Sequence, residues 1–379
     1  MVWAEDLVEL LRSLAWDPGL FERSVTLLAK ISAQKGKAGV DESITALFQL
    51  YLSGTHAEIQ QRARLAQSFL RSADPALQNA GMLALGKLLQ AWHFTSGYHF
   101  QFGARSRDVG YWPRVEDIRE WFDAGLSLAR RVIAENMAVV PQVRRIVARS
   151  FRGLWTALGM YAALEELSRA IMEQGHWSEG WIGARQTLHY DHGAFAPEVM
   201  ARLRALEASL RPRDLVEKIR SVVLREGVAI VDFDGFDFDA ENAENERGYE
   251  RTEQVAQALG EATARDDGAL RELLPELLTG RGRLTSFGRG LATAHATPKE
   301  LWNRLVAQLA LVPEDYRNTQ VLRGLNSRDP RLGRTLLDRA VDHDVLGPWL
   351  PVLQTAVPLD ANGIERLTRA LAVERASIG

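Results

Sequence analysis

His189 and His192 flank Tyr190 and Asp191 behind an apolar helical stretch. Imidazole and carboxylate donors so spaced suit zinc or iron. A hydrolase using His189, Asp191 and His192 is therefore one reading, although no third ligand is placed by spacing and His-Glu-x-x-His is absent. The plainer reading makes Asp191 a helix-end residue. A second candidate is the run Asp232-Phe233-Asp234-Gly235-Phe236-Asp237-Phe238-Asp239, followed by Glu241, Glu244 and Glu246. A calcium loop needs oxygen donors at its first, third and fifth positions, Gly at the sixth and Glu at the twelfth. Counted from Asp232, the last three fall on Phe236, Asp237 and Ala243, so the pattern fails and an acidic linker is expected. A third is Gly280-Arg281-Gly282-Arg283 with Gly288-Arg289-Gly290. Gly and Arg can cradle phosphate, but no P-loop or dinucleotide fingerprint is present, and Gly-capped helix connections account for it. The chain has no cysteine, which removes thiolate nucleophiles, disulfides and Cys-based zinc sites. No Gly-x-Ser-x-Gly elbow occurs. No catalytic residue, metal ligand or cofactor is assigned, and the chain is expected not to be an enzyme.

The segment from His93 to Pro113 carries a different chemistry. Tyr98, Phe100, Phe102, Tyr111 and Trp112 interleave with Arg105, Arg107 and Asp108, and Phe94 stands at its start. Aromatic rings and guanidinium groups dominate binding hot spots, and together they can hold single-stranded nucleic acid. Those eight residues, Tyr98 to Trp112, are the candidate binding set. The competing expectation is that the loop folds back and packs its rings, with Arg105 or Arg107 paired to Asp108.

The elements that must position this loop read as helices. Leu7, Leu10, Leu11 and Leu14 follow helical spacing, as do Phe21, Val25, Leu28 and Ile31. Asp-Pro pairs at 17–18, 74–75 and 329–330 suit an N-cap followed by N1 proline, and Thr297-Pro298 with Glu300 suggests a capping box. Helices are expected near 41–52, 56–72, 75–91, 115–135, 143–173, 178–189, 196–210 and 212–226, then 250–264, 268–279, 283–294, 298–311, 330–342 and 360–373. Segments of this length with short breaks predict an all-α, irregular α-solenoid of HEAT or TPR type. Asp74-Pro75 through Ala80, Ala84, Leu85 and Gly86 resembles the second helix of a HEAT repeat. The aromatic/Arg loop of about twenty residues interrupts the array, and such loops are often functional. The expected domains are an N-terminal array over 1–227, an acidic linker over 228–249 and a C-terminal helical domain over 250–379, with a short strand or extended stretch near 228–233.

The chain of 379 residues is 46% hydrophobic and 25% charged, ordinary values for a folded protein. Its net charge of -3 gives no field that predicts binding to nucleic acid or an acidic membrane. The first residues carry Glu5, Asp6, Glu9 and Arg12 where a signal peptide would be apolar. A cytoplasmic location without membrane association is expected.

Four strings then carry a resemblance: Leu14-Ala15-Trp16-Asp17-Pro18 with Phe21-Glu22-Arg23; Phe102 through Asp108 to Gly110-Tyr111-Trp112-Pro113; Leu210-Arg211-Pro212-Arg213-Asp214-Leu215; and Gln320-Val321-Leu322-Arg323-Gly324. Together they resemble the C-terminal helical sensor region of large bacterial STAND NTPase and SIR2-associated anti-phage defence proteins. The resemblance implies a non-catalytic scaffold that recognises a protein partner, either a phage component or an effector or NTPase domain. The effector and Walker motifs of those proteins are missing here, so their activities do not carry over. Nucleic-acid binding is the alternative among binding functions.

Overall fold

A computed structural model describes residues 2–34, 38–96, 101–102, 105–225 and 245–372. Among the described residues the chain is all-α apart from one pair of two-residue antiparallel strands, and it divides into two compact units, Met1–Leu210 and Arg211–Gly379. The extended stretch expected near 228–233 and the acidic run as far as Glu244 lie outside the described residues, and a helix already begins at Asn245, inside the expected linker. The units meet in sequence at 210/211, ahead of the expected linker, because the helix over Leu215–Val222 packs with the helices that follow it.

The first unit holds α1 (Val2–Leu14), α2 (Pro18–Gln34), α3 (Ala38–Leu47), α4 (Ile59–Leu70), α5 (Pro75–Leu88), β1 (Gln101–Phe102), β2 (Arg105–Ser106), α6 (Val115–Ala134), α7 (Val140–Thr156), α8 (Tyr161–Met172), α9 (Ser178–Asp191) and α10 (Pro197–Leu210). From α4 onward each helix packs on the one two places along, so α4, α6, α8 and α10 form one layer and α5, α7 and α9 the other. Between the layers lie the fully buried rings of Trp121, Phe151, Trp155, Trp177 and Trp181. Large aromatics contribute most of the apolar area such a core can hide. Three of the four indoles have acceptors: Trp121 Nε1 donates to the Leu88 carbonyl at 3.0 Å, Trp177 Nε1 to the Arg144 carbonyl at 3.3 Å and Trp181 Nε1 to Glu207 Oε1 at 2.8 Å, while Trp155 Nε1 is buried without one among the described residues.

Local signals act as expected at three helix starts. Asp17, Asp74 and Asp329 each accept a backbone N–H two residues ahead, from Gly19, Ala76 and Arg331. Thr297 does not cap; its own N–H turns back to His295 Nδ1 at 3.1 Å. The single helix expected over 143–173 is two helices. Gly159 takes φ +62°, and its N–H with that of Met160 returns to the Trp155 and Leu154 carbonyls, a left-handed terminator that glycine adopts at no steric cost. The leucine stripe of α1 is only partly covered. Leu11 is buried, but Leu7 and Leu10 are exposed, since α1 packs on α2 and α3 alone among its major neighbours.

The second unit holds α11 (Leu215–Val222), α12 (Asn245–Thr263), α13 (Asp267–Thr279), α14 (Leu284–Ala294), α15 (Pro298–Leu309), α16 (Gln320–Arg328), α17 (Pro330–Ala340), α18 (Leu350–Gln354) and α19 (Ala361–Ala372). The same alternation recurs: α12, α14, α16 and α18 pack in one row, and α11, α13 and α15 in another. Helices α16 and α18 had no counterpart in the expected set. The Gly/Arg patch resolves into two roles. Gly280 closes α13, and Arg283 is buried, its Nε 3.6 Å from Glu253. Gly288 and Gly290 lie inside α14 and set its distance from both neighbours. A Cβ on Gly290 would stand 1.9 Å from the Gln257 carbonyl of α12, and one on Gly288 2.2 Å from the Val321 carbonyl of α16. Gly260 of α12 and Gly324 of α16 answer from the other side, with Cβ positions 2.1 Å from the Phe287 and Thr285 carbonyls. Backbone meets backbone at both crossings, so neither glycine tolerates a methyl group.

Gly290→Ala is therefore expected to lower the stability of the second unit by about 3 kcal/mol, since the clash is with main chain and cannot relax by a rotamer change. Urea denaturation with hydrogen exchange read in α12, α14 and α16 measures it. Gly193→Ala, where nothing stands within 4 Å of the added carbon, should show no comparable loss.

Candidate recognition surface

The aromatic/Arg segment rests on the loop between α3 and α4. Loop residues Leu50, Ser53, Thr55 and Ala57 are buried although the segment has no regular structure. Buried irregular backbone must find hydrogen-bond partners, and two guanidinium groups supply them. Arg62, on the inward face of α4 and 0% exposed, donates from Nε to the Ala57 carbonyl at 2.8 Å and from Nη1 to the Gln49 carbonyl at 2.8 Å. Its Nη2 reaches Ser53 Oγ at 3.1 Å and the Thr55 carbonyl at 3.4 Å. Arg12 of α1, also buried, donates to the Ser43 carbonyl at 2.8 Å and the Ser53 carbonyl at 3.1 Å. The flat face of Arg62 lies 5.0 Å from the Trp121 ring and 5.5 Å from the Tyr111 ring. Burial pushes its pKa down to about 9, with Tyr111 raising and Arg12 lowering it, so the group is charged at neutral pH.

Residues 105–113 hang on that loop. Gly54 N–H donates to the Val109 carbonyl at 2.8 Å, and Tyr111 N–H to the Thr55 carbonyl at 2.7 Å, making a parallel bridge of Thr55 with Gly110. Gly110 has φ +84°, and a Cβ there would stand 2.4 Å from the Thr55 backbone; only glycine fits on both counts. Asp108 is a second fastening. Its Oδ1 accepts from the Trp16 indole at 3.2 Å and from Gly110 N–H at 2.9 Å, and lies 2.9 Å from His56 Nε2. Partial burial pushes the Asp108 carboxyl up, but the hydrogen bonds from Gly110 and Trp16 and the nearby His56 together hold it below the usual carboxylate range. Arg107 stacks its guanidinium 4.7 Å from the Trp16 ring and donates to the Ser13 carbonyl. Beyond the segment, Asp117 caps α6 by accepting from the Arg114 N–H at 3.0 Å and from its guanidinium.

The expected binding set thus divides. Arg107, Asp108 and Tyr111 face the array and anchor the segment, Tyr111 stacking on Trp121 with 6.3 Å between centroids. Trp112 and Arg105 face outward, Trp112 at 60% exposure. Phe102 sits in β1, its backbone paired with Arg105 of β2; Tyr98 and Phe100 lie outside the described residues. The expected pairing of Asp108 with an arginine is replaced by contacts to Trp16 and His56. Two further rings join Trp112. Tyr51 stands edge-on to Trp112 and to Phe94, 5.1 Å from each. Tyr51 is half-buried and was not in the expected set. Its position just past a helix end, among Gly and Ser, carries no signal of its own.

The His189, Asp191 and His192 reading does not assemble a ligand set. Both Asp191 oxygens are taken by Arg152, at 2.8 and 2.7 Å, and Oδ2 also accepts from Thr156 at 2.8 Å, tying α9 to α7. His192 Nδ1 lies 3.0 Å from the His189 carbonyl. Among the described residues no group of three or more His, Asp or Glu could hold a metal ion. No helix among them is long and apolar enough to cross a membrane. No family model, curated protein or solved structure matches this chain.

Arg62→Met should cost the first unit about 3 kcal/mol, because it strands several buried acceptors at once. Arg62→Lys should recover little of that loss, since one ammonium cannot reach carbonyls spread around a planar fork. Chemical denaturation of the three proteins decides it. For Asp108, a depressed carboxylate stabilises above the ordinary carboxylate pKa of about 4 and loses that contribution as pH falls through its lowered folded value. Asp108→Asn should therefore speed exchange of the Gly54 and Tyr111 amides at neutral pH. The difference from the parent, after correction for intrinsic rates, should shrink on acidification.

Proposed function

We propose that this chain is a non-catalytic recognition module, an irregular α-solenoid whose first unit engages a protein partner through the Tyr51, Phe94, Trp112 and Arg105 surface. The observation that carries the reading is Trp112: a large ring left 60% exposed, set edge-on to Tyr51, which in turn meets Phe94, and mounted on a segment fastened at Thr55, Gly110 and Asp108. An exposed aromatic anchor on a fastened segment that also carries an exposed arginine, Arg105, has the composition of a binding hot spot. The two-layer alternation of helices in each unit supports the solenoid reading, and solenoids present extended surfaces to large partners.

The resemblance to sensor regions of bacterial anti-phage proteins supplies the context. In this reading the module works in the cytoplasm, and its partner is a phage protein or the effector or NTPase domain it controls. The test is capture from lysates of phage-infected and uninfected bacteria, comparing the parent chain with Arg105→Ala/Trp112→Ala. A partner identified by mass spectrometry should be retained by the parent and depleted at least about tenfold by the double variant. Equal capture by both would remove this surface from the account. Binding to single-stranded oligonucleotide that weakens steeply with salt and is lost in the same variant would point to nucleic acid instead.

A further inference from the structure

A cleft of about 470 Å³ opens in the first unit where α5 meets α7, bounded by Thr45 of α3 and by the turn that follows α5. That volume lies within the roughly 300–1,000 Å³ of small-ligand sites. Its lining includes two cations, Lys87 and Arg149, and no carboxylate. Lys87 Nζ is held by Gln90 Oε1 at 2.8 Å, and Gln90 Nε2 in turn donates to the carbonyls of Trp92 and His93, fixing the turn that places Trp92 on the cleft wall. The benzo edge of Trp92 lies over Gly153 of α7, where a Cβ would meet Ala91 at 2.7 Å and the Trp92 ring at 3.5 Å. Met82, Leu83 and Ile146 add further apolar lining.

The two glycines of α5 differ in a telling way. Gly81 is required by packing, since a Cβ would stand 2.8 Å from the Leu70 backbone N. Gly86 is not: the nearest atom to its Cβ position is Ile146 Cγ2 at 4.0 Å. Helix propensity alone disfavours glycine there, and no neighbouring atom demands it. What the missing side chain leaves is open space in the cleft.

We propose that this cleft binds a small organic anion with a flat aromatic body, its ring system set against Trp92 and Met82 and its charged group paired with Arg149 and Lys87. Arg149 supplies a planar fork that matches a carboxylate, sulfonate or phosphate bidentately, and the apolar walls exclude a bare inorganic ion as the preferred occupant. This site is independent of the protein-binding reading above.

The test uses two probes that share an aromatic plane and one anionic group, 8-anilinonaphthalene-1-sulfonate and adenosine 5′-monophosphate, titrated calorimetrically into the whole chain. At least one should bind with one-to-one stoichiometry. Gly86→Met fills the cleft and should weaken that binding at least about tenfold with a thermal midpoint equal to or above the parent's. Arg149→Ala, at an exposed position, should weaken it similarly and serves if Gly86→Met is poorly folded. Trp112→Ala should leave it unchanged. Failure of both probes to bind saturably, undiminished binding in Gly86→Met or Arg149→Ala, or a loss in Trp112→Ala alone would each overturn the proposal. Preference for the phosphate over the sulfonate probe would identify the anion the cations favour.

Discussion

The first unit depends on one buried charge without a described carboxylate beside it. Taking a guanidinium out of water costs several kcal/mol even after relaxation, and Arg62 offsets that cost with four hydrogen bonds to carbonyl and hydroxyl oxygens and with two aromatic faces. In return the loop from Gln49 to Ala57 is fastened in a buried, irregular course that its own sequence does not favour. That loop is the ledge on which Gly110 and Tyr111 rest, and Tyr111 closes over the same guanidinium. Lysine cannot substitute, having no plane to stack and no fork to spread. The surface carrying Trp112 is therefore held from beneath, through its chain neighbour Tyr111, by a guanidinium that is itself fully buried.

Much of this was legible in the sequence, but unevenly. The all-α class followed from the spacing of apolar residues, and three Asp-capped helix starts from the Asp-Pro pairs. The helix break at Gly159 was missed because an apolar rhythm ran across it, and the left-handed turn there is a backbone property that glycine permits without announcing. The segment over 93–113 was expected to act as one binding set, whereas Arg107, Asp108 and Tyr111 pack against the array and Trp112 faces outward. Which ring faces inward depends on the bridge to Thr55, more than fifty positions earlier in the chain, and no local pattern encodes that.

Arg62 had a signal that went unread. Ile59, Arg62, Ala63, Leu65, Ala66, Phe69 and Leu70 are the buried residues of α4, while Arg64 points to solvent. An arginine at an inward position of a helical stripe is a statement about burial, whatever its charge suggests. The glycines of α14 failed in the opposite direction. Read as a string, Gly288-Arg289-Gly290 suggested a phosphate cradle or a connection, yet both glycines face helix backbones on either side. Only the presence of Gly260 and Gly324 on those neighbours distinguishes close packing from ligand approach, and that pairing is tertiary.

Arg62 also has a bearing on how the chain is made. Its acceptors at Gln49, Ser53, Thr55 and Ala57 all precede it in the chain, whereas the rings of Tyr111 and Trp121 that lie against it are made later, so the loop has its fastening before α6 exists. Incomplete helical arrays expose apolar faces and associate readily. The arrival of α6 then removes from water both the apolar face of α4 and the guanidinium set in it.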